Sequence, residues 1–138
     1  FAAAGNGGFG GVVSEKYNFG AKKYAVTEYR PGFYALKQLA EKLEGMRSIV
    51  REQSGGDARL YRLENEQGTF WIGWVHPEYL VLPGDAEPKT SVSLNLPSGA
   101  RVINMATAAT AEDAVAINAA DGKATISLTM MPVYIFEK

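Results

Sequence analysis

The sequence predicts a mostly β protein: an antiparallel β-sandwich of about eight strands with one N-terminal α-helix packed against it. Three observations predict it. A single stretch, residues 33–43, repeats its apolar residues at three- and four-residue steps. Beyond Gly45 the period changes to two. Turn-forming residues then cut the alternating part into short segments.

The helix has a start, a stripe and a stop. Pro31 suits a first helical position, where its missing N–H costs nothing. Phe33, Leu36, Leu39, Ala40 and Leu43 form one apolar stripe. Lys37 and Glu41 stand four residues apart on the opposite side and can pair. Gly45 ends the helix. Ahead of it, Gly5-Asn6-Gly7-Gly8-Phe9-Gly10-Gly11 favours loop. The aromatic stretch 17–29 reads as loop with one short extended piece. Residues 1–46 are therefore expected to form an irregular arm plus the helix, and 47–138 the sandwich.

Strands are expected at 47–53, 58–64, 68–76, 79–82, 89–96, 101–106, 113–118, 123–128 and 132–137. The clearest alternation sets Val92, Leu94 and Leu96 against Ser91, Ser93 and Asn95. Ala124, Ile126 and Leu128 alternate in the same way with Lys123, Thr125 and Ser127. The separating turns are Ser54-Gly55-Gly56-Asp57, Glu66-Gln67-Gly68, Pro83-Gly84-Asp85, Pro97-Ser98-Gly99 and Asp121-Gly122.

The totals narrow the function classes. At 138 residues the chain fits one domain and can bury a core without metals or disulfides. With 46% hydrophobic and 21% charged residues it is ordinary globular material. A net charge of -1 gives no electrostatic case for nucleic acid or an anionic membrane. Zero cysteines remove disulfides, thiolate metal sites and cysteine nucleophiles. They leave the compartment undetermined; a secreted or periplasmic setting is the one favoured. No apolar run reaches the ~20 residues of a membrane span. Because residue 1 is Phe1 rather than Met, a cut or processed N-terminus is expected.

No catalytic constellation, cofactor or metal is expected. The run from Gly5 to Gly10 matches G-x-G-x-x-G, but a dinucleotide site needs a strand before it and a helix after it. His76 is the one histidine and has no G-x-S-x-G partner. Acids such as Glu64, Glu66, Glu78 and Asp85 fall at strand ends and turns, where they offer at most calcium ligands. Among the aromatics, Phe70, Ile72 and Trp74 share one face of their strand and Trp71 and Val75 the other. Packing is the commoner fate of a large aromatic. Trp71, with Tyr79 and Tyr17, is the candidate for stacking on a sugar ring.

Two segments carry a family resemblance. Tyr29-Arg30-Pro31-Gly32-Phe33-Tyr34-Ala35-Leu36-Lys37-Gln38-Leu39 is similar to the stretch that opens the last barrel helix in many clan A glycoside hydrolases. Leu128-Thr129-Met130-Met131-Pro132-Val133-Tyr134-Ile135 looks like the ending of their C-terminal sandwich. Between them, Leu60-Tyr61-Arg62-Leu63 and Thr69-Phe70-Trp71-Ile72-Gly73-Trp74 resemble the opening of that sandwich. The resemblance covers residues 29–138 and implies a non-catalytic accessory domain of such an enzyme. Only about thirty residues precede the helix, against about 250 in a whole (β/α)8 barrel. The resemblance therefore implies that the two catalytic carboxylates lie outside this chain. The implied partner is the catalytic barrel of the same parent chain, with polysaccharide as a further partner. In the resembled family the tryptophan matching Trp74 packs inside. The helix face Phe33, Leu36, Ala40 and Leu43 would then pack between domains, or drive self-association when left bare. An independent carbohydrate-binding module and a protein-interaction module are the competing readings.

Overall fold

The computed structural model describes residues 13–52 and 55–138. Their ten strands and one helix confirm a mostly β, antiparallel, sandwich-like fold. The glycine run 5–11 lies outside the described residues. The chain divides into two compact units, residues 1–42 with 106–111, and residues 43–105 with 112–138.

In the first unit, β1 (Val13–Asn18) and β2 (Lys23–Tyr29) form an antiparallel hairpin. This corrects the expectation of a loop over 17–29. The stretch is rich in strand formers, with Tyr17, Tyr24, Val26, Thr27 and Tyr29, and these outweigh its charged residues. Asn18 closes the turn by accepting the Ala21 N–H on its Oδ1 at 3.0 Å. The rings of Phe19 and Tyr24 meet that of Tyr17 edge-on, at 4.9 and 5.1 Å. Every residue of β2 is exposed.

Helix α1 (Pro31–Leu43) begins at the expected proline. Arg30 ties its entrance to β1, since Arg30 Nε donates to Ser14 Oγ at 3.1 Å. Lys37 and Glu41 pair at 3.8 Å in solvent. The most buried helical residue is Gln38, whose Oε1 accepts the Ala106 N–H at 2.7 Å. That bond satisfies an amide that would otherwise be costly to bury.

In the second unit, Gly45 (φ 67) adopts the left-handed conformation that ends helices, and the Met46 N–H caps the Leu43 carbonyl. A six-stranded antiparallel sheet follows, built from β3 (Ser48–Arg51), β4 (Ala58–Asn65), β5 (Gly68–Val75), β7 (Ala100–Asn104), β8 (Ala114–Ile117) and β10 (Val133–Glu137). Its order is β3-β4-β5-β10-β7-β8. A second sheet pairs β6 (Thr90–Leu94) with β9 (Ala124–Leu128).

The two sheets enclose one core. Leu60, Val75, Val102, Val133 and Ile135 come from the large sheet, and Val92, Leu94, Leu96, Ile126 and Leu128 from the small one and its continuation. The Val75 N–H also donates to the Thr129 carbonyl at 2.7 Å, linking β5 to the end of β9. The large sheet is apolar on its outer face too. Leu63, Phe70, Ile103 and Tyr134 are buried there, Phe70 stacks on Phe136 at 5.3 Å, and Trp74 stacks on Tyr61 at 5.5 Å. Consecutive burial of Val133, Tyr134 and Ile135 marks β10 as a central strand used on both faces.

Turn chemistry set the hairpins. Asn65 Oδ1 accepts the N–H groups of Gln67 and Gly68 between β4 and β5. Asp121 and Gly122 both have positive φ and are bracketed by the Ala120–Lys123 bridge, as a primed turn requires. The strand expected at 79–82 is absent. Pro77 and Pro83 bracket that segment, and Leu82 and Asp85 bond to each other in a local turn, through Leu82 N–H to Asp85 Oδ2 and Asp85 N–H to Leu82 O.

A candidate cleft over Trp71

Strand alternation decides which residues reach this site. On β5 the side chains of Trp71 and Val75 point to the inter-sheet face, while Phe70, Ile72 and Trp74 point outward. The β4–β5 register pairs Arg62 with Trp71 and Leu60 with Gly73. Arg62, Leu60 and Trp71 therefore share the inner face.

Only two strands stand opposite six, so the small sheet cannot cover all of that face. A cleft of about 460 Å³ opens along β6, lined chiefly by Glu52, Leu60, Trp71, Ser91, Ser93 and Asn95. Trp71 is half-buried: part of its ring rests on the core and part faces the cleft. Among the described residues strand β6 pairs on one side alone, with β9.

The polar groups are held in place. Arg62 Nε sits 3.2 Å from Glu52 Oε1, and Arg62 Nη1 donates to Glu64 Oε1 at 2.9 Å. One guanidinium thus serves two carboxylates, and Glu52 is fixed beside the tryptophan. The Ser93 hydroxyl shares a hydrogen bond with Thr125 Oγ1 at 3.1 Å. An aromatic floor with a carboxylate, hydroxyls and an amide at its rim can bind a ligand by stacking and hydrogen bonds. Among the described residues no group of three His, Asp or Glu side chains is placed to hold a metal.

The three aromatics proposed for sugar contact do not converge on this cleft. Trp71 lies in it. Tyr79 is 62% exposed in the irregular segment after β5 and lies outside the lining residues. Tyr17 belongs to the hairpin of the other unit and packs on Phe19 and Tyr24. On the helix, Phe33 and Leu43 are half-buried, whereas Leu36 and Ala40 are exposed. His76 is exposed just past β5, its backbone N–H donating to the Asp57 carbonyl.

Sequence reasoning missed Glu52, Ser91 and Asn95 as site residues. Ser91 and Asn95 read as the solvent side of an alternating strand, which is correct as far as it goes. That β6 is an edge strand beside Trp71 depends on sheet pairing, for which the local pattern holds no signal.

The fold and the cleft define a small antiparallel β-sandwich with one helix and an aromatic-floored groove. Comparison with protein-family models, curated proteins and solved structures finds no match to this chain.

Proposed function

We propose that this chain is the non-catalytic accessory β-sandwich of a glycoside hydrolase, packing on and stabilising a catalytic barrel. One observation carries the reading. The sandwich segments 60–74 and 128–135 that resemble that family lie far apart in sequence, yet β10 of the second pairs directly with β5 of the first in the large sheet. Residues 60–63, 69–74 and 132–135 thereby share one packed centre, so the resemblance follows a structural unit rather than scattered short matches. The Tyr29–Leu39 motif supports the same order, since α1 opens within it at Pro31. Trp74 departs from the inward tryptophan that the resemblance implies: it is half-buried on the outer face of β5, stacked on Tyr61.

The test is the intact mass of the protein made by its source cell, read with the coding sequence upstream of Phe1. The expected result is an upstream (β/α)8 region of roughly 200 residues or more bearing two carboxylates at strand ends. A native protein no larger than the present chain overturns the proposal. A second reading, an independent carbohydrate-binding module, is favoured by the open cleft over Trp71.

A further inference from the structure

We propose that the cleft along β6 is a binding site for a neutral oligosaccharide, with Trp71 as its stacking platform. The inference goes beyond the accessory role and does not depend on it, because every residue it uses lies in the sandwich unit.

The first argument is the tryptophan. Its neighbours on the inner face, Val75, Val133 and Ile135, are buried. Trp71 is only half-buried and lines an open cleft. An indole presents a flat apolar face with an electron-rich surface. A pyranose ring offers a matching flat patch of C–H bonds.

The second argument is the rim. Ser91 and Asn95 line the cleft from the solvent side of β6, and Glu52 sets a carboxylate beside Trp71. These are short groups that can donate to and accept from vicinal hydroxyls. Glu52 is preorganised by Arg62, so it loses little freedom on binding.

The third argument is charge. Arg62 is shared between Glu52 and Glu64, which leaves this trio net negative. Such a site repels sulfated and uronic sugars and phosphates, and accepts an uncharged chain. The volume of about 460 Å³ falls within the ~300–1,000 Å³ range of small-ligand clefts.

An extended peptide adding to the edge of β6 is the competing occupant. The polar rim favours the sugar, since strand addition gains its specificity from pockets for alternate side chains and this cleft offers one aromatic floor.

The test uses the whole chain carrying Trp74→Phe, so that Trp71 is its single tryptophan and can be excited selectively. Neutral hexasaccharides of β-linked glucose, xylose and mannose are titrated while Trp71 emission is read. Saturation with at least one of them below about 1 mM is expected. In the parent background, Trp71→Ala is expected to weaken calorimetric binding by at least about tenfold. Because Trp71 also touches the core, Glu52→Gln and Asn95→Ala serve as second variants, each expected to weaken binding about threefold to tenfold through one lost hydrogen bond. The proposal is overturned if no sugar saturates up to about 10 mM. Binding that all three variants leave unchanged overturns it as well, as does saturable binding of extended peptides with none of sugars. Each of these outcomes leaves the native-mass test of the accessory role untouched.

Discussion

Gly99 sits in the Pro97-Ser98-Gly99 turn with φ near 88, its N–H on the Leu96 carbonyl and its own carbonyl accepting the Lys138 N–H. The β7–β8 register pairs Ala100 with Ile117, which brings the backbone after β8 directly alongside. A Cβ at this position would fall well inside contact distance of the Ile117 carbonyl oxygen and 3.3 Å from Ala119 N and Asn118 Cα. Those obstacles are backbone and cannot rotate away. Gly99→Ala therefore carries a left-handed backbone cost of about 1–2 kcal/mol and an overpacking cost of about 1–3 kcal/mol. A total of about 2–5 kcal/mol is a large part of the roughly 5–15 kcal/mol that holds a domain together. For a chain of this size the melting temperature should drop by about 7–17 °C. Gly122→Ala is the control. It has φ near 73, but nothing lies within 4 Å of the added Cβ, so only the conformational cost of about 1–2 kcal/mol applies. Both variants are compared with the parent by scanning calorimetry and urea unfolding. If Gly99→Ala loses no more stability than Gly122→Ala, the close approach of the β8 backbone is wrong.

Three further outcomes follow from the same packing. Leu128→Ala removes a fully buried side chain from the small sheet and should cost about 2–5 kcal/mol in urea unfolding, with the slope unchanged. Burial raises the Tyr134 phenol above its ordinary pKa of 10.0, and the Glu112 carboxylate adds to the shift. Above pH ~10 the unfolded chain then loses this proton more readily than the native one, so the contribution of Tyr134 to stability declines as pH rises toward its native pKa. Melting curves should fall more steeply above that pH in the parent than in Tyr134→Phe. Amides of β1 and β2 should exchange with deuterium well before those of β10, because a two-stranded sheet with one wholly exposed strand is marginal, whereas β10 is paired on both sides. Equal protection of the two would contradict this account of the hairpin.

The sequence by itself determined the elements whose causes are local. Pro31, the stripe from Phe33 to Leu43 and Gly45 bounded α1, and the structure places the helix at Pro31–Leu43. Asn65 through Gly68 and Asp121-Gly122 set two hairpins through side-chain caps and positive φ, both effects acting within four residues. Alternation also placed Val92, Leu94 and Leu96 in the core and Ser91, Ser93 and Asn95 outside it. Where a segment lacked a clean period, local reading failed. The β1–β2 hairpin was hidden by mixed aromatics and lysines, and residues 79–82 looked like a strand though prolines leave them without a partner.

Tertiary structure alone decided the sheet order and, with it, the cleft. That β10 inserts between β5 and β7 is a choice among pairings far apart in sequence, made by which apolar faces can be buried together. The pattern of β5 assigns Trp71 and Trp74 to opposite faces but cannot say which stays open. Trp74 stacks on Tyr61, while Trp71 looks into a gap that exists because two strands face six. A side chain's face is a property of its own strand, but its exposure depends on how far the opposing sheet extends, and that depends on residues elsewhere in the chain.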